Sequence, residues 1–207
     1  MANINRPKGL SPVQNTDGSP WSQGATLFSI PTDASNTYAI GDIVMAATGS
    51  DANGVPNIIK WTGVVGVSTL PLGVIVGIRV ADAGTSLVGN SLSLEKTYLP
   101  LSAGQHYAYV VTDPGTVFEI QGDSTVWAAA NANQNVNVTV TANQTTLGKG
   151  DPYSSTVATG PATTLSLPLQ VLGLIQRPDN GFGAYSALLV RFNVHNYVGA
   201  ATGRTGV

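Results

Sequence analysis

From residue 33 onward the chain alternates between short runs rich in Val, Ile, Leu and Tyr and breaks made of Gly, Pro, Asn and Asp. This rhythm predicts an all-β sandwich or barrel of short antiparallel strands. Residues 38–45 and 57–62 form the first predicted pair. Between them Asn53 is followed by Gly54, a dipeptide suited to the positive φ values of a tight hairpin. Strands are expected at 64–67, 74–80 and 91–95; in the last, Leu92 and Leu94 share a face opposite Ser91, Ser93 and Glu95. A second hairpin is expected from 108–111 and 117–121, which flank Asp113-Pro114-Gly115. There Pro presets φ and Gly supplies the left-handed conformation.

Residues 124–132 carry Trp127-Ala128-Ala129-Ala130, the one plausible helical turn, stopped by the Asn residues that follow. Val136, Val138 and Val140 alternate with Asn137, Thr139 and Thr141, giving a strand with one apolar face. Residues 147–161 read as a long loop, and 124–167 as an insertion or a set of long loops. The last predicted pair is 169–176 with 188–197, where Leu188, Val190, Phe192 and Val194 face away from Arg191, Asn193 and His195. No fixed-period repeat occurs, which argues against a solenoid or propeller.

Residues 1–32 break the pattern. Pro, Gly, Ser and Asn dominate, with isolated large apolar residues at Leu10, Val13, Trp21, Leu27, Phe28 and Ile30. An extended N-terminal arm that packs on something is the expectation, either its own domain or a neighbour. The main β-rich domain then spans 33–197, and 198–207 is a small-residue tail. The uncharged stretch 61–78 is long enough to raise a membrane span. Its four Gly, its Pro71 and its β-branched residues read instead as two buried strands around a turn.

Composition narrows the functional classes. Hydrophobic residues make up 43% of the 207, an ordinary share, but charged residues only 10%, against roughly 25% in typical soluble domains. Outward positions must therefore be filled by Ser, Thr, Asn, Gln and Gly, which hydrate well yet lose little when desolvated against a partner. A net charge of -2 opposes association only weakly, so self-association is expected. The nine Lys and Arg are scattered, with only Arg6 and Lys8 close together, so nucleic acid is not an expected partner. The N-terminus lacks an apolar run behind its positive charges, so secretory export is not expected either.

Chemistry has little raw material. There are two His, two Glu, nine Asp and no Cys, so thiolate nucleophiles, disulfides and zinc ribbons are excluded. No Gly-x-Ser-x-Gly elbow and no phosphate-binding glycine motif occurs. Glu95 and Glu119 fall at outward positions of predicted strands, where a solvated face is favoured over a glycosidase pair. His106 beside a turn and His195 on a polar face read as ordinary surface or pocket histidines. Asp51-Ala52-Asn53-Gly54 lacks the later carboxylate of a calcium loop and reads as a turn. No catalytic, metal or cofactor-binding residue is assigned, and the protein is not expected to be an enzyme.

The opening Ala2-Asn3-Ile4-Asn5-Arg6-Pro7-Lys8-Gly9-Leu10-Ser11-Pro12-Val13 resembles the start of proteins encoded beside the major capsid protein in many tailed phages. Tyr38-Ala39-Ile40-Gly41-Asp42-Ile43-Val44, Asn53-Gly54-Val55-Pro56, residues 109–121, Leu172-Gly173-Leu174-Ile175-Gln176-Arg177-Pro178-Asp179-Asn180 and residues 191–195 are similar to that family as well. Together they cover about half the chain, whereas 124–167 has no counterpart. The resemblance to the capsid decoration, or cement, family implies a structural virion protein on the capsid exterior, made in the host cytoplasm. Its implied partner is the major capsid protein, whose subunits it would bridge. On that reading Arg6, Lys8, Leu10, Val13, Trp21 and Phe28 are the candidate partner contacts, and residues 1–30 either bridge a seam between capsomers or complete the protein's own sheet. Two other classes compete. One is a carbohydrate-binding or adhesin module presenting Trp21, Trp61, Trp127 and Tyr side chains, or a phage tail or fibre component. The other is a small hydrolase with a buried His or Asp in a deep pocket.

Overall fold

The computed structural model describes residues 3–32, 35–66, 68–79, 98–99, 105–140, 154 and 156–198. It is almost entirely β and contains two strand systems packed against each other. One is a closed barrel formed by β2 (Thr26–Ile30), β5 (Pro56–Lys60), β4 (Ile43–Ser50), β6 (Gly73–Arg79) and β8 (His106–Val111) in that order. Every pairing in it is antiparallel except β2 with β5. The other is a six-stranded sheet, in the order β1 (Ser11–Asn15), β9 (Thr116–Gln121), β13 (Ala187–Phe192), β12 (Leu169–Leu174), β10 (Asn135–Thr139), β11 (Val157–Ala162). A two-residue pairing joins β3 (Tyr38–Ala39) to β7 (Tyr98–Leu99). Among the described residues the only helical structure is two single 3-10 turns, Ala129–Asn131 and Asn196–Val198.

Alternation determines which faces meet. Phe28, Ile30, Val44, Ile58, Ile75 and Val110 point into the barrel and fill it. The other barrel residues Ile43, Trp61, Val74 and Val111 turn outward onto Phe118, Ile120, Val136, Leu169, Leu188 and Val190 of the sheet. Two cores therefore exist, one enclosed by the barrel and one between barrel and sheet. A fully buried side chain of this size contributes on the order of 1.5–3 kcal/mol.

The first hairpin is present, with Ser50 opposite Pro56, Gly54 at φ +80° and the Asp51 carboxylate accepting from the Asn53 and Val55 amides. The second is not a hairpin. The turn forms, with the Thr116 amide donating to the Asp113 carbonyl at 3.1 Å. However, β8 pairs with β2 and β6 in the barrel, while β9 pairs with β1 and β13 in the sheet. A strand has two edges, and both edges of each are taken by other partners. The turn therefore passes the chain from one strand system to the other.

Other expectations change in the same way. Residues 64–66 form no strand, and Val64 stands exposed on the connection before β6. Part of the expected loop 147–161 is β11, and the segment 124–167 is no appendage, because β10 and β11 complete the six-stranded sheet. Residues 124–132 hold only the 3-10 turn. The expected strand 91–95 and most of the expected tail, 199–207, lie outside the described residues. The arm, too, is built into the domain. β1 extends the sheet beside β9, β2 is a barrel strand, and Leu10 and Phe28 are core residues.

Candidate partner-binding surface

Residues 3–10 run across the outer face of β9. At their C-terminal end Gly9 crosses Gly41, where the Leu10 amide donates to the Gly41 carbonyl at 3.0 Å. Both glycines have positive φ, +70° and +94°, and a Cβ on Gly9 would lie 2.4 Å from the Gly41 oxygen. Only glycine permits this approach. At the other end the Asn3 amide is a bracket, its oxygen accepting from the Gly181 amide and its nitrogen donating to the Gly181 and Ala184 carbonyls. Between these points the Gln121 side chain accepts from the Arg6 amide at 2.7 Å and donates to Asn5 Oδ1 at 2.9 Å.

The segment thereby covers Glu119 and Gln121, which alternation places on the sheet face opposite Phe118 and Ile120. Glu119 was expected on a solvated face. Its side chain is only 12% exposed, and Lys8 Nζ at 3.1 Å and Arg177 Nη2 at 2.9 Å bracket its carboxylate. Arg177 Nη1 donates to the second oxygen at 3.3 Å, so the pairing is bidentate. Arg177 comes from the β12–β13 connection. Asn180 staples that loop, donating to the Ile175 and Ala187 carbonyls and accepting from the Ala187 amide. Tyr185 in the same loop adopts φ +59°, an uncommon conformation for a bulky residue.

These elements enclose an open cleft of about 350 Å³ lined by Asn3, Ile4, Arg6, Lys8, Glu119, Gln121, Arg177, Asp179, Asn180, Tyr185 and Ala187. Three cations and two carboxylates converge there. The Arg6 guanidinium has no carboxylate partner among the described residues and stands exposed. Beside the cleft are apolar side chains open to water, Ile4 at 65% and Phe182 at 54% exposure.

Of the six candidate contacts, Arg6 and Lys8 line this cleft. Val13 is exposed on the edge strand and Trp21 is partly buried against the core between barrel and sheet. Leu10 and Phe28 are buried and unavailable to a partner. Their apolar side chains pack into the protein's own cores. Glu119, Arg177, Asn3 and Phe182 were not anticipated. Their signal lay in the Val117, Glu119, Gln121 face of β9, where an acid and an amide beside a buried Val require a polar cover.

A second carboxylate node lies inside the molecule. Asp42 Oδ2 accepts from Lys60 Nζ at 2.9 Å and from the Ala39 amide at 2.9 Å, and its Oδ1 accepts from the Ser154 hydroxyl. Lys60 Nζ also donates to the Thr37 carbonyl at 3.0 Å. A further cleft of about 450 Å³, lined in part by Pro31, Asn36, Trp61 and Val140, passes Lys60.

Expected as surface or pocket histidines, His106 and His195 are both buried and line neither cleft. For His195 the reason is that β13 ends at Phe192, so strict alternation stops before it. No group of three His, Asp or Glu capable of holding a metal occurs among the described residues. Trp61 and Trp127 are core residues, so the three tryptophans form no exposed aromatic platform. No helix among the described residues is long and apolar enough to cross a membrane. Compared with protein-family models, curated proteins and solved structures, the chain matches none.

Proposed function

We propose that this protein is a structural component of a virion that binds the outside of a phage head and bridges its capsid subunits. The observation that carries this reading is how charge is distributed. The two covered carboxylates, Asp42 and Glu119, are both neutralised by cations of the same chain, and only 10% of the 207 residues are charged. Apart from a few exposed charges such as Arg6, Asp17, Arg177 and Asp179, the surface is amide, hydroxyl and apolar in character, with Val13, Tyr109, Val126, Leu165 and Phe182 exposed. Such a surface loses little when water is removed from it. The resemblance of residues 2–13 and the other quoted segments to capsid decoration proteins supports the same reading.

The mechanism is adhesion. A shell under internal pressure fails where neighbouring subunits part, and a bridging protein adds contacts that must break first. A standard contact buries about 1,600 Å² in total, and engagement of several subunits at once raises avidity beyond that of one contact. The barrel-and-sheet body, with the N-terminal segment bonded across its own β9, suits a rigid clamp better than a loose tether.

The test is to purify assembled heads and measure whether the protein copurifies, and in what ratio to the major shell subunit. Heads carrying it should resist heating better than heads lacking it, and binding should weaken only a few-fold between about 0.05 and 0.5 M NaCl, because few ion pairs are screened. A purified protein that never joins a particle, or that turns over a substrate, overturns the reading.

A further inference from the structure

We propose that the cleft between residues 3–8 and the β12–β13 connection is the docking site for an acidic segment of a partner protein, one carboxylate side chain flanked by apolar residues. The proposal rests on the reading above for the partner's identity and adds its chemistry. Six Lys and Arg lie among the described residues, and three of them, Arg6, Lys8 and Arg177, line this one cleft with Glu119 and Asp179. Three positive and two negative charges leave it at +1, on a chain whose net charge is -2. The excess charge is Arg6. Glu119 is already saturated by Lys8 and Arg177, and Arg177 Nε lies 3.9 Å from the Asp179 carboxylate. The Arg6 backbone is fixed by Gln121, so its guanidinium is presented from an ordered base.

A guanidinium fork matches a carboxylate in two parallel hydrogen bonds. The rim sets the rest of the preference. Ile4 and Phe182 are each next in sequence to residues joined by the Asn3–Gly181 bonds, and the Trp127 amide donates to the Gly183 carbonyl at 3.0 Å, which brings the 74% exposed Val126 to the same loop. A charged centre with an apolar surround is the arrangement of protein interfaces. Nucleic acid fits poorly, since phosphate backbones select for many cations and this cleft has an excess of one.

The test has two arms. In the first, wild-type protein, Arg6→Glu, Phe182→Ser and the remote control Val64→Ser are titrated onto purified heads free of this protein. Arg6→Glu should weaken binding tenfold or more, Phe182→Ser several-fold, and Val64→Ser not at all. Since Arg6 and Phe182 are exposed, unchanged melting temperatures confirm folding. In the second, isotope-labelled wild-type protein is titrated with a blocked Ser-Leu-Phe-Glu-Leu-Ser peptide, with the same peptide carrying Gln for Glu, and with a 20-base-pair DNA duplex. Shifts at residues 3–8 and 177–187 with the acidic peptide alone are expected. If wild type binds heads and Arg6→Glu binds equally well, the docking site is wrong and the functional reading stands. If wild type does not bind heads, the functional reading falls and the peptide arm decides the site. Equal shifts with the Gln peptide, no shifts, or tighter binding of the duplex overturn the docking proposal.

Discussion

The two carboxylate nodes use the same chemistry in opposite settings. Around Asp42 the side chains are sealed, with 2% and 0% exposure for Lys60 and Asp42, and Ala39, Thr37 and Ser154 hold them from the surrounding fold. Around Glu119 the acid is covered, but Lys8 and Arg177 are 35% and 43% exposed. A buried pair gains little net stability, because desolvation offsets attraction, yet it penalises any arrangement that separates its members. It specifies the fold. The half-exposed node costs less to assemble and keeps its cations within reach of a partner. The inner node joins the start of β4 to the end of β5, while the outer one joins the N-terminal segment to the β12–β13 connection.

The largest effect should come from breaking the inner node. Lys60→Met leaves the Asp42 carboxylate buried without its cation, and Asp42→Leu leaves Lys60 likewise; each should cost about 3–5 kcal/mol, read as a fall in denaturation midpoint. The double variant should recover much of that loss. Additive losses would mean that the two side chains are not energetically coupled, and that the pair does not act as a node.

The next test acts where the two nodes meet. Lys8 and Gly9 form one side of the crossing, and Gly41 and Asp42 the other. Gly9→Ala meets the left-handed backbone penalty of about 1–2 kcal/mol and places its methyl carbon 2.4 Å from the Gly41 oxygen. Loss of stability by at least that penalty, with weaker protection of the Leu10 amide from exchange, is expected. Unchanged exchange would show that the N-terminal segment does not depend on this contact.

Breaking the outer node should matter less for stability. Glu119→Gln removes the charge but keeps the shape, and its cations can hydrate where they are, so about 1 kcal/mol is expected. The difference from wild type should shrink in 0.5 M salt. A loss as large as that of Lys60→Met would erase the distinction between the two nodes.

The strand faces of this contrast were legible in the sequence; the partners were not. Val136 and Val138 face the core while Asn137 and Thr139 face out, and Leu188, Val190 and Phe192 alternate as read. Alternation is local, so it survives without knowledge of the fold. Strand pairing is not local. Asp113-Pro114-Gly115 specifies a reversal, but nothing in a turn reports that both edges of β8 and β9 are claimed from far away. The same blindness hid β1, whose Ser11-Pro12 start reads as arm until β9 is placed beside it. It also hid β11, whose Gly160 and Pro161 read as loop but are tolerated at a sheet edge. At the surface, Arg6 and Lys8 were readable as the one close pair of cations. Arg177 was not, because 169 positions separate it from Lys8 and only the fold closes that distance.

The smallest effect concerns a buried titratable group with no ion-pair partner among the described residues. His195 is packed edge-on to Phe192 and Tyr197, with ring centroids 5.4 and 5.7 Å away, and its Nδ1 accepts from the Tyr197 amide at 3.1 Å. Burial lowers its pKa from 6.5; the Leu72 backbone and the Asp113 charge pull upward, more weakly, and Nε2 makes no well-aligned hydrogen bond. Neutral imidazole is thus the form the native state holds. In the window from 6.5 down to the lowered native value, the unfolded chain binds the proton first, so stability present above 6.5 is lost as pH falls. His195→Gln retains an acceptor for the Tyr197 amide and cannot titrate, while His106 stays in place. Its melting temperature should therefore fall less than that of wild type between pH 7 and 5, even if it starts lower. Parallel pH profiles for the two proteins would mean that His195 is not the group setting the slope.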